Sequence, residues 1–431
     1  MSGVIHWLAL AASRHPERVA IAGADQVSYK QLHDRACAAA AALRRLGVQP
    51  GDRVALALPA GGDFVAALHG CWYAGAAAVP IDLRLTPEER AARAAGAALV
   101  VDRPPAIGPA DREPAGLHPD AIAAVLHTSG TTAAPRPVAL TFGNFLWSAL
   151  ASAVALGLHQ RERWLCPMPL VHVGGLSIPV RSAIYATTAV LHPRFEAEAV
   201  CAALMDDRDP ITIVSLVPTM LSRLLDAGLH RPPALRWALL GGAPIAPALL
   251  QRAHAAGVPV APSYGMTEAC SQIATNGHPL TGVELRTSPG GEVLVRGPIV
   301  APGSVEPDGW LHTGDLGTFD QRSGLAITGR VSDTIITGGE NVAPAEVEAV
   351  LLEHPAVADA AVHGRRDPEW GEAVVATLVL RGGATADIID LQAFCATRLA
   401  PYKVPKAVAF VARLPRTESG KLLRRELERT V

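Results

Sequence analysis

Residues 29–81, YKQLHDRACAAAAALRRLGVQPGDRVALALPAGGDFVAALHGCWYAGAAAVPI, read in turn as helix, strand, helix and strand. From Tyr29 to Leu46 the apolar residues recur at helical spacing, and Gly47 stands where a helix ends. Arg53 to Leu58 is short and apolar enough for a strand. Asp63 to Tyr73 returns to helical spacing, and Ala77 to Ile81 is an unbroken apolar run suited to a buried strand. The alternation continues to about residue 270, with further strands at Ile211 to Leu216, Trp237 to Leu240 and Val258 to Pro262. Alternation at this spacing predicts βαβ units and a mostly parallel sheet, so the fold class is α/β. A Pro-rich stretch at 103–119 predicts a surface loop.

After residue 280 the texture changes. Gly291 to Arg296 and Leu325 to Thr328 predict antiparallel strands with Gly-rich turns. A helix begins near Pro344, with Val347, Val350 and Leu351 as its apolar stripe. Strands at Val357 to Val362 and Val374 to Leu380, a helix at Ala386 to Leu399, a strand at Val408 to Val411 and a basic tail complete the chain. The expected division is a large domain over 1–328, a hinge at 329–333 and a small α/β domain over 334–431.

At 431 residues the chain exceeds a single core, and 49% hydrophobic residues are enough to fill more than one. Its 38 basic and 40 acidic residues form no block of like charge, which argues against a nucleic acid or an anionic membrane surface as the main partner. The six cysteines, Cys37, Cys71, Cys166, Cys201, Cys270 and Cys395, are scattered and lack metal-ligand spacing, the pattern of a reduced, cytoplasmic protein. Met1 to Arg14 does not have the layout of a secretory signal, and no apolar run reaches about 18 residues, so no membrane span is expected.

Five strings carry chemistry. Thr128-Ser129-Gly130-Thr131-Thr132-Ala133-Ala134-Pro135-Arg136 follows the apolar run Ala121 to Leu126, so it leaves a buried strand. Small residues with free N–H groups and four hydroxyls suit a polyphosphate, although the same string also reads as a Ser/Thr-rich turn. Ser263-Tyr264-Gly265-Met266-Thr267-Glu268 follows the strand ending at Val260. It offers a ring to stack on a flat base, a hydroxyl for a phosphate and a carboxylate for a cation, or else a plain strand-to-helix turn. In Trp310-Leu311-His312-Thr313-Gly314-Asp315 the aspartate is a candidate acceptor for ribose hydroxyls. Gly329-Arg330 with Asp333 is followed by Gly338-Gly339-Glu340-Asn341, where paired glycines let a backbone pass close to a ligand. Thr417-Glu418-Ser419-Gly420-Lys421 ends in a lysine that matters only if its turn docks into a cleft.

In this order and over residues 5–428, the five strings resemble the adenylate-forming superfamily of acyl-CoA synthetases, peptide-synthetase adenylation domains and luciferases. The resemblance implies a large N-terminal domain of sheets layered with helices and a small, mobile C-terminal domain. It also implies two half-reactions: a carboxylate attacks the α-phosphorus of ATP, and a thiol, usually coenzyme A, then displaces AMP. By position, Thr128, Ser129, Gly130, Thr131, Thr132 and Arg136 resemble the loop on the β- and γ-phosphates. Gly241, Gly242, Ala243, Pro244, Ser263, Tyr264 and Gly265 resemble the adenine-facing segments. Thr267 resembles the α-phosphate contact, Glu268 the Mg²⁺ ligand, and Asp315 and Arg330 the ribose contacts. Gly338, Gly339 and Glu340 resemble the coenzyme A segment, and Lys421 the lysine bridging carboxylate and α-phosphate, where a cation stabilises charge growing on phosphorus. His172 matches a pocket-wall position whose ring changes rotamer between the half-reactions.

The runs Leu170 to Leu191 and Ser263 to Ile273 are similar to the o-succinylbenzoate–CoA ligases of menaquinone synthesis, whose substrate carries two carboxylates and an aromatic ring. Arg181, nine residues past His172, matches an arginine near the carboxylate that does not react. A lone arginine among Ile178, Pro179, Val180, Ala183, Ile184 and Tyr185 is costly unless paired, either with a dianionic substrate or with an internal carboxylate. Thr219 and Ser271 are further candidates for the pocket lining. The implied activity is an ATP- and Mg²⁺-dependent acid–CoA ligase, with o-succinylbenzoate as the acid. A fatty-acyl or aryl-acid ligase, a stand-alone adenylation module and a non-catalytic nucleotide-binding protein are the alternatives, and assembly as a homodimer is left open. Four positions depart from the pattern: Ala133 and Pro137 replace glycines, Arg136 a lysine, and Ser332 the Asp or Lys often found at the hinge pivot.

Overall fold

The computed structural model describes residues 6–104, 116–128, 136–416 and 422–427. Residues 105–115 of the Pro-rich stretch, 129–135 of the first hydroxyl string, and 417–421 including Lys421 lie outside the described residues. The chain separates into two compact units, one comprising Met1–Glu284 and Val295–Leu311, the other Leu285–Leu294 and His312–Val431. The stretch 329–333 falls inside the second unit, between its two sheets in chain order.

The first unit carries two sheets. A five-stranded sheet runs Leu99–Val101, Arg53–Leu56, Ala77–Pro80, Ile122–Thr128, Arg136–Thr141. Its first four strands are parallel and the last is antiparallel. Pro137 is accommodated because Arg136–Thr141 is an edge strand, where a missing N–H need not break a ladder. A nine-stranded sheet runs His278–Pro279, Ser271–Thr275, Val260–Met266, Trp237–Leu240, Ile213–Leu216, Arg163–Cys166, Thr188–Leu191, Val19–Ala22, Val27–Ser28. The six strands from Val260–Met266 to Val19–Ala22 are parallel, and antiparallel strands close both ends.

The mostly parallel reading therefore holds, with two corrections. The strand expected to end at Pro262 continues to Met266 and pairs antiparallel with Ser271–Thr275, so Ser263–Met266 is strand rather than a turn into a helix. The run expected over 121–126 continues to Thr128 and pairs with Arg136–Thr141, so the hydroxyl string connects antiparallel neighbours. Both extensions lack an apolar pattern, and backbone pairing does not require one.

Local signals start the helices that separate these strands. Ser28 and Gln31 form a reciprocal capping box for Tyr29–Arg45, and Thr141 and Asn144 form one for Phe142–Leu156. Asn144 also donates from Nδ2 to the carbonyls of Pro298 and Val300, each at 2.9 Å. Trp72 is buried at the centre of the core, where its indole N–H donates to the Ala123 carbonyl at 2.8 Å and its ring meets Trp7 and Phe142 edge-on.

The second unit also carries two sheets. One runs Glu284–Thr287, Glu292–Arg296, Leu311–Asp320, Gly324–Arg330, and its last two strands are antiparallel. The other runs Glu340–Val342, Ile335–Thr337, Gly371–Leu380, Val357–Asp367, with Ala407–Phe410 also paired to Gly371–Leu380. Val347 and Leu351 of the Pro344–Leu352 helix join Leu391 and Cys395 of the Ile388–Ala396 helix in this unit's core. All six cysteines are free thiols, and among the described residues no helix is long and apolar enough to cross a membrane.

His69 lies edge-on to Trp72, is fully buried and among the described residues has no hydrogen-bond partner for either ring nitrogen. Burial, with His6 and His33 nearby, pushes its pKa down from 6.5 to about 3. The folded protein holds this imidazole neutral while the unfolded chain protonates it, so the stability it contributes is complete above pH 6.5 and is lost as pH falls toward 3. Stability should fall by roughly 1.4 kcal/mol per pH unit over that window from this group. Urea titrations between pH 6 and 4 on wild type and His69→Phe should show a shallower pH slope in the variant.

Candidate active site

Four adjacent parallel strands of the nine-stranded sheet deliver His172, Thr219, Gly241 to Pro244, Thr267 and Glu268 to one edge, while Thr128 and Arg136 belong to the five-stranded sheet and Arg181 to a helix. Arg163–Cys166 leads to His172, Ile213–Leu216 to Thr219, Trp237–Leu240 to Gly241-Gly242-Ala243-Pro244, and Val260–Met266 to Thr267 and Glu268. The strands are in phase, with Leu165 opposite Val214, Leu216 opposite Leu240 and Leu240 opposite Pro262. All four exits therefore open at the carboxyl ends of the strands, where open α/β sheets bind ligands.

The Ser263–Ser271 segment is tightly built. A Cβ on Gly265 would stand 1.7 Å from the Ser271 carbonyl oxygen, so only glycine allows the two strands to approach there. Thr267–Ala269 is a single 3₁₀ turn, and Glu268 is half-buried, its carbonyl accepting from Ala301 N–H at 2.8 Å. Cys270 and Ser271 then take φ values of 49° and 94°. Two consecutive non-glycine residues in this region hold strain of about 1–3 kcal/mol each, which only a surrounding structure can maintain.

Arg181 lies beside this turn. The helix Val173–Tyr185 carries it, and the side chain is 2% exposed. Its Nη2 donates to Ser148 Oγ at 3.0 Å, its guanidinium lies 5.5 Å from the centre of the Trp164 ring, and among the described residues its Nε has no hydrogen-bond partner. Among the described residues no carboxylate pairs with it. Burial pulls its pKa below the usual range, with Tyr185 and Cys270 acting the other way. The Cys270 thiol is itself pushed up to about 12 by burial.

His172 caps the same helix and keeps an exposed face, yet surrounding atoms desolvate the ring and, with Arg84, hold its pKa below the ordinary value against the pull of Asp82. Asp82 and Arg84 follow the strand Ala77–Pro80 and form a two-contact ion pair at 2.8 and 2.6 Å. The sequence reading missed both, and Ser148 as well. Serines four apart, Ser148 and Ser152, both buried in the otherwise apolar helix Phe142–Leu156, are the signal that was available. Of the first hydroxyl string only Thr128 and Arg136 are described; they face each other across the antiparallel pair, and Thr128 Oγ1 donates to the Arg136 carbonyl at 3.4 Å.

In the second unit Asp315 and Arg330 stand opposite each other in neighbouring strands and form an ion pair at 2.8 Å. Asp315 is buried, and its N–H donates to Thr313 Oγ1 at 3.1 Å. Gly338 and Gly339, with φ of 58° and 83°, make the two-residue turn between Ile335–Thr337 and Glu340–Val342. Ser332 donates to Asp333, and Arg424 reaches Asp333, Glu348 and the Val362 carbonyl. Arg416 grips Asp359 through contacts of 2.8 and 3.0 Å, so arginines anchor the chain on both sides of 417–421.

These features define a nucleotide-binding α/β enzyme, and the chain belongs to the AMP-binding enzymes. Residues 8–103 and 99–304 match that family, and residues 346–421 match its C-terminal domain. The chain is 39% identical to the 2-succinylbenzoate–CoA ligase of Bacillus licheniformis, over 98% of this chain and 99% of that one. It is also similar to the solved o-succinylbenzoate CoA synthetase of Bacillus subtilis. The complex of that enzyme with its acyl-adenylate intermediate has a TM-score of 0.91 at 35% identity, covering 99% of each chain. Its complex with ATP and magnesium has a TM-score of 0.89 at 35% identity, over 98% of this chain and 99% of that one.

Gly265→Ala should uncouple the two strands around Ser271. A loss of about 3 kcal/mol in stability is expected from overpacking against backbone, together with loss of ATP binding measured by calorimetry.

Proposed function

We infer that this chain is an AMP-forming acid–thiol ligase that converts o-succinylbenzoate, ATP and coenzyme A to the acyl-CoA, AMP and pyrophosphate, a step of menaquinone biosynthesis. In the first half-reaction a carboxylate oxygen of the acid bonds to the α-phosphorus as the bond to pyrophosphate breaks. In the second the coenzyme A sulfur, having lost its proton, bonds to the acyl carbon and AMP leaves. The observation that carries the choice of acid is Arg181, a buried guanidinium beside the Thr267–Ser271 turn with no carboxylate partner among the described residues. Such a cation favours an anionic ligand, and a planar ring carboxylate suits its fork of donors. A fatty-acyl chain offers it nothing.

The remaining roles follow from position. Thr128, Ser129, Gly130, Thr131, Thr132 and Arg136 hold the terminal phosphates, and Gly241 to Pro244 with Ser263, Tyr264 and Gly265 hold the adenine. Thr267 contacts the α-phosphate, Asp315 and Arg330 the ribose, and Thr219 and Ser271 the acid. His172 forms the pocket wall, and Gly338, Gly339 and Glu340 meet coenzyme A. Mg²⁺ is commonly held by one or two carboxylates plus substrate phosphates, and the half-buried Glu268 fits that donor set; the ion neutralises phosphate charge. Lys421 stabilises charge on the reacting phosphorus, and a swing about 329–333 exchanges it for the coenzyme A segment. Six free thiols suit a cytosolic setting.

Pyrophosphate release should depend on o-succinylbenzoate, and thioester should form only when coenzyme A is added. Arg181→Ala should lower kcat/KM for this acid by about a hundredfold, the scale of removing one partner of a buried charge pair. Turnover of simple fatty acids with none of o-succinylbenzoate would overturn the assignment.

A further inference from the structure

The reading of Arg181 as anchor for the second carboxylate raises the question of what aims its side chain. Ser148 lies on the helix Phe142–Leu156, is 1% exposed, and is the only side chain among the described residues that hydrogen-bonds Arg181. Its Oγ stands 3.0 Å from Arg181 Nη2 and 2.6 Å from the Cys270 carbonyl oxygen. A hydroxyl has a single proton, a guanidinium only donates and a carbonyl only accepts. The proton of Ser148 must therefore go to Cys270, and a lone pair must face Arg181. Both partners together fix the direction of the hydroxyl.

Its acceptor belongs to the strained turn. Cys270 and Ser271 both have left-handed φ, and the same turn carries Thr267 and Glu268 at its start. Cys270 N–H donates to the Thr267 carbonyl at 3.0 Å, so the turn is held from within by that bond and from outside by Ser148. Tyr185, one helical turn after Arg181, donates to the Ala149 carbonyl next to Ser148, which brings the two helices together at this point.

We propose that Ser148 is a positioning residue for acid selection: it aims the Arg181 guanidinium and ties it to the turn that bears Thr267, Glu268 and Ser271. This role rests on the assignment of Arg181 to the substrate's second carboxylate. It touches neither nucleotide nor acid itself.

The test is steady-state kinetics of Ser148→Ala with two acids, o-succinylbenzoate and benzoylpropionate, which is the same molecule without the ring carboxylate. The variant should raise KM for o-succinylbenzoate by about tenfold, the scale of one hydrogen bond to a charged group. KM for ATP should stay within about twofold, and the preference for o-succinylbenzoate over benzoylpropionate should fall by about the same tenfold. In an Arg181→Ala background the change at 148 should cost no further preference. Ser148→Cys, close in size with a weaker donor, should give an intermediate preference and serves if the alanine variant does not fold. An equal loss with both acids, or an unchanged preference, would overturn the role of Ser148. A wild-type enzyme inactive on o-succinylbenzoate but active on another acid would instead overturn the functional reading on which it rests.

Discussion

In-phase pairing of parallel strands is the constraint from which the rest of the site follows. Each crossover helix returns the chain to the amino edge of the sheet, so each strand leaves by the same carboxyl edge. With Leu216, Leu240 and Pro262 level across three strands, residues 217, 241 and 263 come side by side although the chain between them is long. A slip of one residue would turn the apolar side chains of Trp237–Leu240 from one face of the sheet to the other. Burial on both faces therefore holds the register, and the register holds the site.

Beside the Cys270–Ser271 turn the protein keeps an unusual charge. Other arginines here reach carboxylates: Arg236 lies 3.3 Å from buried Glu162, and Arg424 binds both Asp333 and Glu348. Arg181 is more deeply buried than either and has a hydroxyl and an aromatic face in place of an anion. Desolvating a guanidinium without a counter-charge is unfavourable, so the structure stores a demand for an anion at that point. The left-handed pair Cys270–Ser271 is a second stored cost within the same neighbourhood. Local departures from the most stable arrangement gather where the chain handles its ligands.

The candidate residues in the second unit have a different character. Asp315 and Arg330 already satisfy each other across a strand pair, and Thr313 and Glu292 brace the strand that carries Asp315. These contacts fix, within the strands Leu311–Asp320 and Gly324–Arg330, a preformed pair of groups whose donors and acceptors point in set directions. The stretch 331–333 joins this sheet to the second unit's other sheet, entered at Ile335–Thr337, as a single 3₁₀ turn, with Asp333 held by Arg424.

Much of this was legible in the chain. Helical spacing over Tyr29–Arg45, apolar runs at 77–80 and 237–240, and glycine where strands or turns crowd report local preferences, and those survive folding because each depends on near neighbours. The order of the five strings identified the class through its resemblance to the adenylate-forming superfamily. The antiparallel continuations at Thr128 and Met266 were not legible, because backbone ladders leave no apolar period in such residues. Nor was the bond from Ser148 to Cys270, which spans 122 residues, or the lack of a carboxylate beside Arg181 among the described residues. Hydrogen bonds and desolvation act over a few ångströms in space, and separation along the chain says nothing about that distance. The sequence by itself determined which chemical groups and local elements exist; only the tertiary structure decided which of them meet and which charge is left waiting for a partner.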